Sequence, residues 1–116
     1  MKTKIIEYCL EKPFVTEHFP FDDRTWVSKV HGKMFALMDI LDEEIKVNLK
    51  YDSETIEELR SEFDCVQPGY HMSKKHWNTV HYDPSEINFK QLTEWIDISY
   101  NLVFNSLPKK LKELTP

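Results

Sequence analysis

The stretch Ile45 to Lys50 (IKVNLK) alternates without a break. Along an extended chain Ile45, Val47 and Leu49 point one way, and Lys46, Asn48 and Lys50 the other. A strand with one apolar and one polar face belongs in a sheet that is covered on one side and wet on the other. This single requirement directs the rest of the reading. The chain must supply partner strands for a mainly antiparallel sheet, and amphipathic helices to cover one of its faces.

Both are present. Lys4 to Glu11 reads as a short helix, capped by Thr3 and stopped before Pro13, with Ile6, Cys9 and Leu10 on one face. Phe14 to Phe19 reads as a strand ended by Pro20, and the polar turn Asp22-Asp23-Arg24 leads into a second, Thr25 to Val30. Val30-His31-Gly32-Lys33 is a tight hairpin, because Gly32 takes positive φ at no steric cost. The following strand, Lys33 to Ile40, is densely apolar (MFALM) and therefore central. Asp42-Glu43-Glu44 is a solvated turn into the alternating strand.

Asp52 then caps a helix over Ser53 to Phe63, with Ile56, Leu59 and Phe63 as its apolar stripe and Glu54 suiting the positive end of its dipole. Glu57, Glu58, Arg60 and Glu62 read as a solvated face. After a further strand over Trp77 to Tyr82 and the turn Asp83-Pro84-Ser85, the last helix opens at Asn88. Gln91 completes a capping-box pattern there, and Ile87 with Leu92 a hydrophobic staple. Its stripe is Leu92, Ile96, Ser99, Val103 and Leu107, widened by Trp95, Tyr100 and Leu102. Pro108 stops it, and Lys109 to Pro116 reads as a frayed tail. The order is helix, four strands, helix, two strands, helix. This is one α+β domain over residues 1–116, with helices packed on one face of a mainly antiparallel sheet.

The most distinctive segment is Cys65 to Tyr82, CVQPGYHMSKKHWNTVHY. It holds three of the five histidines and contains no acidic residue, although the chain carries 20. Pro68-Gly69 signals a turn, and the segment reads as a basic, aromatic loop leading into a strand. The surrounding chain is acidic, with net charge −5 and pI near 5.5.

Several classes of function lack their motifs. No apolar run approaches the ~20 residues of a membrane span, and no signal-peptide pattern is visible, so a cytoplasmic setting is expected. Cys9 and Cys65 match no zinc spacing and read as reduced, buried thiols. His71, His76 and His81 recur at intervals of five, off the i, i+4 face of a helical metal site. The only glycines are Gly32 and Gly69, so there is no glycine-rich phosphate loop. Neither cysteine has a histidine close by in sequence to activate it. The expectation is a non-enzymatic domain without cofactor or metal.

Four segments resemble the MmcQ/YjbR family of small bacterial proteins: GKMFAL (Gly32 to Leu37), VNLK (Val47 to Lys50), PGYHMSKKHWNTV (Pro68 to Val80) and SYNLV (Ser99 to Val103). FPFDDRTWVSKV (Phe19 to Val30) fits as well, and Ser73 departs from an expected asparagine. The resemblance implies a CyaY-like α+β fold, related in outline to frataxin, and DNA binding through strand-and-loop wings. The frataxin likeness would also imply an acidic iron-binding ridge. Glu7 and Glu11 are too sparse to form one, and that implication is not carried over.

DNA binding asks for cations against phosphate and aromatic or amide groups against bases. The expected set is Tyr70, His71, Lys74, Lys75, His76, Trp77 and Asn78, supported by Lys46 and Lys50. Tyr70, His76 and Trp77 would stack, and Asn78 would bond a base edge or a phosphate. Two lysines in the loop imply weak binding. If the histidines share the site, binding would strengthen below about pH 6.5. The plainer reading makes Tyr70, Trp77 and Val80 packing residues, Lys74 and Lys75 solubilising groups, and Asn78 a satisfier of turn backbone. The alternative function is a module that binds another protein or a small anionic ligand.

Overall fold

The computed structural model describes residues 1–114. Pro116 and Thr115, the end of the expected tail, lie outside the described residues. Helix α1 (Lys2–Leu10) is followed by strands β1 (Val15–His18), β2 (Thr25–Val30), β3 (Lys33–Asp39) and β4 (Lys46–Lys50). Helix α2 (Ile56–Glu62), strands β5 (Val66–Pro68) and β6 (Trp77–His81), and helices α3 (Phe89–Asn105) and α4 (Lys109–Lys112) complete the chain. The strands form one sheet in the order β1-β2-β3-β4-β6-β5, antiparallel at every pairing. The α+β architecture expected from the alternation of Ile45 to Lys50 is thus present.

Register explains which face is covered. Val47 of β4 pairs with Met38 and Val80, and Leu49 with Ala36 and Asn78, so these side chains share the face under the helices. Lys46, Asn48 and Lys50 stand on the other face, half-buried. Helix α3 lies across β2, β3 and β4 with Leu92, Ile96, Ser99 and Val103 buried against them. Its expected cap is in place, the Asn88 side chain accepting from the Gln91 amide at 2.8 Å, but the Gln91 side chain reaches Glu94 at 3.5 Å and does not complete a capping box. Helix α2 closes the side near β5, where Phe63 meets Trp95 edge to face at 5.0 Å.

Four local expectations differ from the structure. The face that α1 buries is Ile5 and Cys9, with Ile6 and Leu10 half-buried. Helix α1 begins at Lys2 with Met1 as its cap and no side-chain bond, so Thr3 lies inside the first turn. Asp52 holds a turn rather than a helix end. Its carboxylate accepts from the Glu54 amide at 2.9 Å, and α2 starts only after Thr55. Lys109–Lys112 form one short helical turn in the segment read as frayed. In the β2–β3 hairpin, His31 (φ 48°) and Gly32 (φ 82°) both take positive φ, the signature of a tight type I′ turn.

Both cysteines are buried, and burial pushes the Cys9 thiol up to about 12 and raises that of Cys65. Near neutral pH the folded chain should therefore react with thiol reagents far more slowly than the urea-unfolded chain. Rapid labelling of both sites without denaturant would contradict that burial.

Candidate nucleic-acid interface on the open sheet face

The loop joining β5 to β6 does not extend away from the sheet; it folds back over the uncovered face. The backbone at Gly69 makes this possible. Its amide donates to the Trp77 carbonyl at 2.9 Å, and a Cβ here would stand 2.9 Å from the Trp77 Cβ and 3.0 Å from its carbonyl oxygen. Only glycine allows so close an approach without displacing its neighbours. The next amide, Tyr70, donates to the Thr79 hydroxyl at 3.0 Å, which fixes the loop above the middle of β6. That hydroxyl in turn donates to the side-chain oxygen of Asn48 on β4. His71 sits at φ 58°, a left-handed conformation that costs a non-glycine residue free energy.

The expected residues separate into three groups. Tyr70 stands at the crest, 70% exposed, with its ring 3.9 Å from that of His71. Lys74 and Lys75 are exposed, and the Lys74 ammonium donates to the Gly69 carbonyl at 3.2 Å. His76 and Trp77 are half-buried where the loop joins β6, and the His76 carbonyl accepts from the Tyr51 amide at 2.8 Å. Lys50 pairs in register with Trp77, beside them.

Asn78 is different. It points under the helices, 2% exposed, and its oxygen accepts from Arg60 Nε at 2.7 Å. Its amide is a structural group, held by the Arg60 side chain and not by the turn backbone that the plainer reading gave it. Lys46 lies at the other end of β4, paired in register with His81 and ion-paired to Asp42 and Glu44 at 3.4 and 3.5 Å. The Asp42 carboxyl is held below its usual range, first by the Glu44 amide and then by Lys46. The three histidines of the segment do not converge, since His81 closes the strand that Trp77 opens.

Arg60, read as a solvated residue, is the group that anchors the loop. Besides Asn78 it donates to the Trp77 carbonyl at 3.1 Å and to the Lys74 carbonyl. Phe21, from the β1–β2 connection, was also missed; it is 65% exposed and lines a groove on the open face together with Tyr70.

Because neighbouring strands run in opposite directions, the two ends of the sheet collect different loops. Lys29 near the end of β2, Lys33 at the start of β3, Lys50 at the end of β4, and Lys74 and Lys75 before β6 all fall at one end. None of these five lysines is ion-paired among the described residues. Carboxylates at this end include Asp52 and Glu54 in the turn leaving β4, Glu57 and Glu58 in the first turn of α2, and Glu11 before β1. The opposite end gathers Asp22, Asp23, Asp39, Asp42, Glu43, Glu44, Asp64 and Asp83 around Arg24 and Lys46. A net-acidic chain thus gathers five lysines at one end of its sheet.

Comparison with known proteins gives a consistent family picture. The family model described as YjbR matches residues 10–102. YjbR of Escherichia coli K12 is 30% identical over 112 residues, covering 97% of this chain and 94% of that protein. YbdF of Escherichia coli O157:H7 is 39% identical over 102 residues, covering 88% of this chain and 83% of that protein. Among solved structures, Deinococcus radiodurans protein DR2400, a DUF419 domain, superposes with a TM-score of 0.90 at 37% identity, covering 97% of this chain and 86% of that one. A Pseudomonas syringae protein shares the fold with a TM-score of 0.73 at 24% identity, covering 89% of this chain and 98% of that one.

Proposed function

The chain belongs to the YjbR family, and on that premise we propose that it binds DNA through the lysine end of its sheet and the loop 69–76. The observation that carries the reading is the gathering of Lys29, Lys33, Lys50, Lys74 and Lys75, free of ion pairs among the described residues, at one end. The net charge of −5 argues against a nucleic-acid binder only if the ligand feels the whole chain. It does not. A seven-residue strand such as β3 spans ~20 Å, whereas charges are screened over ~8 Å at physiological salt. A phosphate near the lysines therefore meets a local field in which the acidic end counts for little. Binding remains modest because few cations take part, and the acidic end repels a strand that strays along the face.

A salt titration of a fluorescent duplex tests this. With about four to five phosphate contacts, log affinity should fall against log salt with a slope of about −4. Lys74→Ala/Lys75→Ala should reduce that slope to about −2 while leaving the thermal transition unchanged, since both side chains are exposed. An unaltered slope in the double variant, or no binding at low salt, removes the proposal. A protein or small-anion partner would give the second result.

A further inference from the structure

Building on the DNA-binding reading, we infer that the groove between Phe21 and Tyr70 receives one unpaired base, so that the preferred ligand is a single strand or an unpaired stretch. The two rings are large apolar groups left in water, 65% and 70% exposed. They reach the groove from opposite flanks: Phe21 from the loop before β2, and Tyr70 from the loop before β6. The floor between them is Leu37 of β3 and Asn48 of β4, the two strands that separate β2 from β6 in the sheet. Exposed aromatic rings lining a shallow recess suit a flat heterocycle, because every base has a π-face to stack.

Size and charge narrow the occupant. The recess holds about 440 Å³, at the small-molecule end of protein clefts. A duplex presents its base edges at the bottom of a groove, and reading them needs a projecting helix or ribbon. Here the protein offers a hollow, which a base enters only after leaving its stack. Asp39 also lines the hollow and is held ionised by Arg24, with hydrogen bonds of 2.9 and 3.1 Å from Nε. A carboxylate at that place tolerates an uncharged ring and repels phosphate, so the backbone attached to a seated base leaves toward the lysine end and not past Asp39.

The hollow is also set in advance. The Tyr70 amide donates to the Thr79 hydroxyl, and that hydroxyl donates to the Asn48 oxygen. With its oxygen committed, Asn48 keeps its two N–H donors for a base edge. Loop and amide are thereby ordered before any ligand arrives, which lowers the entropy lost on binding.

The test compares a labelled oligothymidine strand with a labelled hairpin duplex at one low salt concentration, for the native chain, Phe21→Ala and Tyr70→Ala. The strand should bind at least about fivefold more tightly than the duplex. Each alanine should weaken strand binding by about 5- to 100-fold, well beyond any loss of duplex affinity, and leave thermal stability unchanged. Duplex binding as tight as strand binding, or strand affinity indifferent to both variants, overturns the inference while leaving the salt-dependent DNA reading standing. Absence of binding to either probe overturns both.

Discussion

Arg60→Met should destabilise the chain by about 2–3 kcal/mol and loosen the loop that carries Tyr70, Lys74 and Lys75. Methionine keeps most of the aliphatic stem and the helix propensity of arginine, so the loss reports on the guanidinium. Three oxygens lose a donor: Asn78 Oδ1, the Trp77 carbonyl and the Lys74 carbonyl. They do not lose it equally. Trp77 retains the Gly69 amide, and Lys74 is exposed enough for water to replace the arginine. Asn78 is 2% exposed and retains no such recourse, so the desolvated amide sets most of the cost. Arg60→Lys should recover only part of it, because an ammonium cannot form the planar fork that spans two strand residues and a loop. Urea unfolding measures the stability, and amide exchange at Gly69 and Trp77 measures the loosening. A loss below about 0.5 kcal/mol with unchanged exchange would mean that the loop is held by its own turns instead.

What the sequence disclosed and what it withheld follow from how far apart the interacting groups lie along the chain. The faces of β4, the stripe of α3 and the Asn88 cap depend on neighbours within a few residues, and periodicity exposes them. Arg60 sits among Glu57, Glu58 and Glu62, which is the local pattern of a solvated face. Its true partners, 14 to 18 residues on, become visible only when β6 is placed. Asn78 did carry a signal. It has the same parity as Val80 in an extended segment, so a strand that buries Val80 must also turn Asn78 inward. Lys46 and Lys50 share a strand and a face, which made them look like one patch. The four residue steps from one to the other amount to ~13 Å, enough to put one beside Asp42 and the other beside Trp77. Phe21 lay hidden in a connection, where no periodicity marks which way a ring points.

The other large effect is expected at Ser99, in the middle of α3 and fully buried. The β2–β3 register skips a residue, pairing Ser28 with Ala36 and Lys29 with Met34. Phe35 is the extra residue, and with Ala36 it faces the helices, its ring set edge to face on Tyr100 at 5.3 Å. Such a bulge leaves ladder groups without strand partners. The Ser99 hydroxyl supplies them, donating to the Phe35 carbonyl and accepting from the Lys50 amide at 2.8 Å. Ser99→Ala removes both bonds where water has no ready access, at about 1–3 kcal/mol for each orphaned group, offset by about 0.5 kcal/mol of better helix propensity. The expected net loss is about 2–4 kcal/mol, or a fall of roughly 10–20 °C in Tm for a domain of this size. Thr93→Ala is the matched comparison: its hydroxyl donates at 2.8 Å to the Lys90 carbonyl of the same helix, at a half-buried position, and its removal should be nearly neutral. Calorimetry of the two variants separates the cases. If Ser99→Ala melts no lower than Thr93→Ala, the bulge is held by packing against Tyr100 alone, and the hydroxyl does not join β3 to β4 at the strand end that presents Lys50.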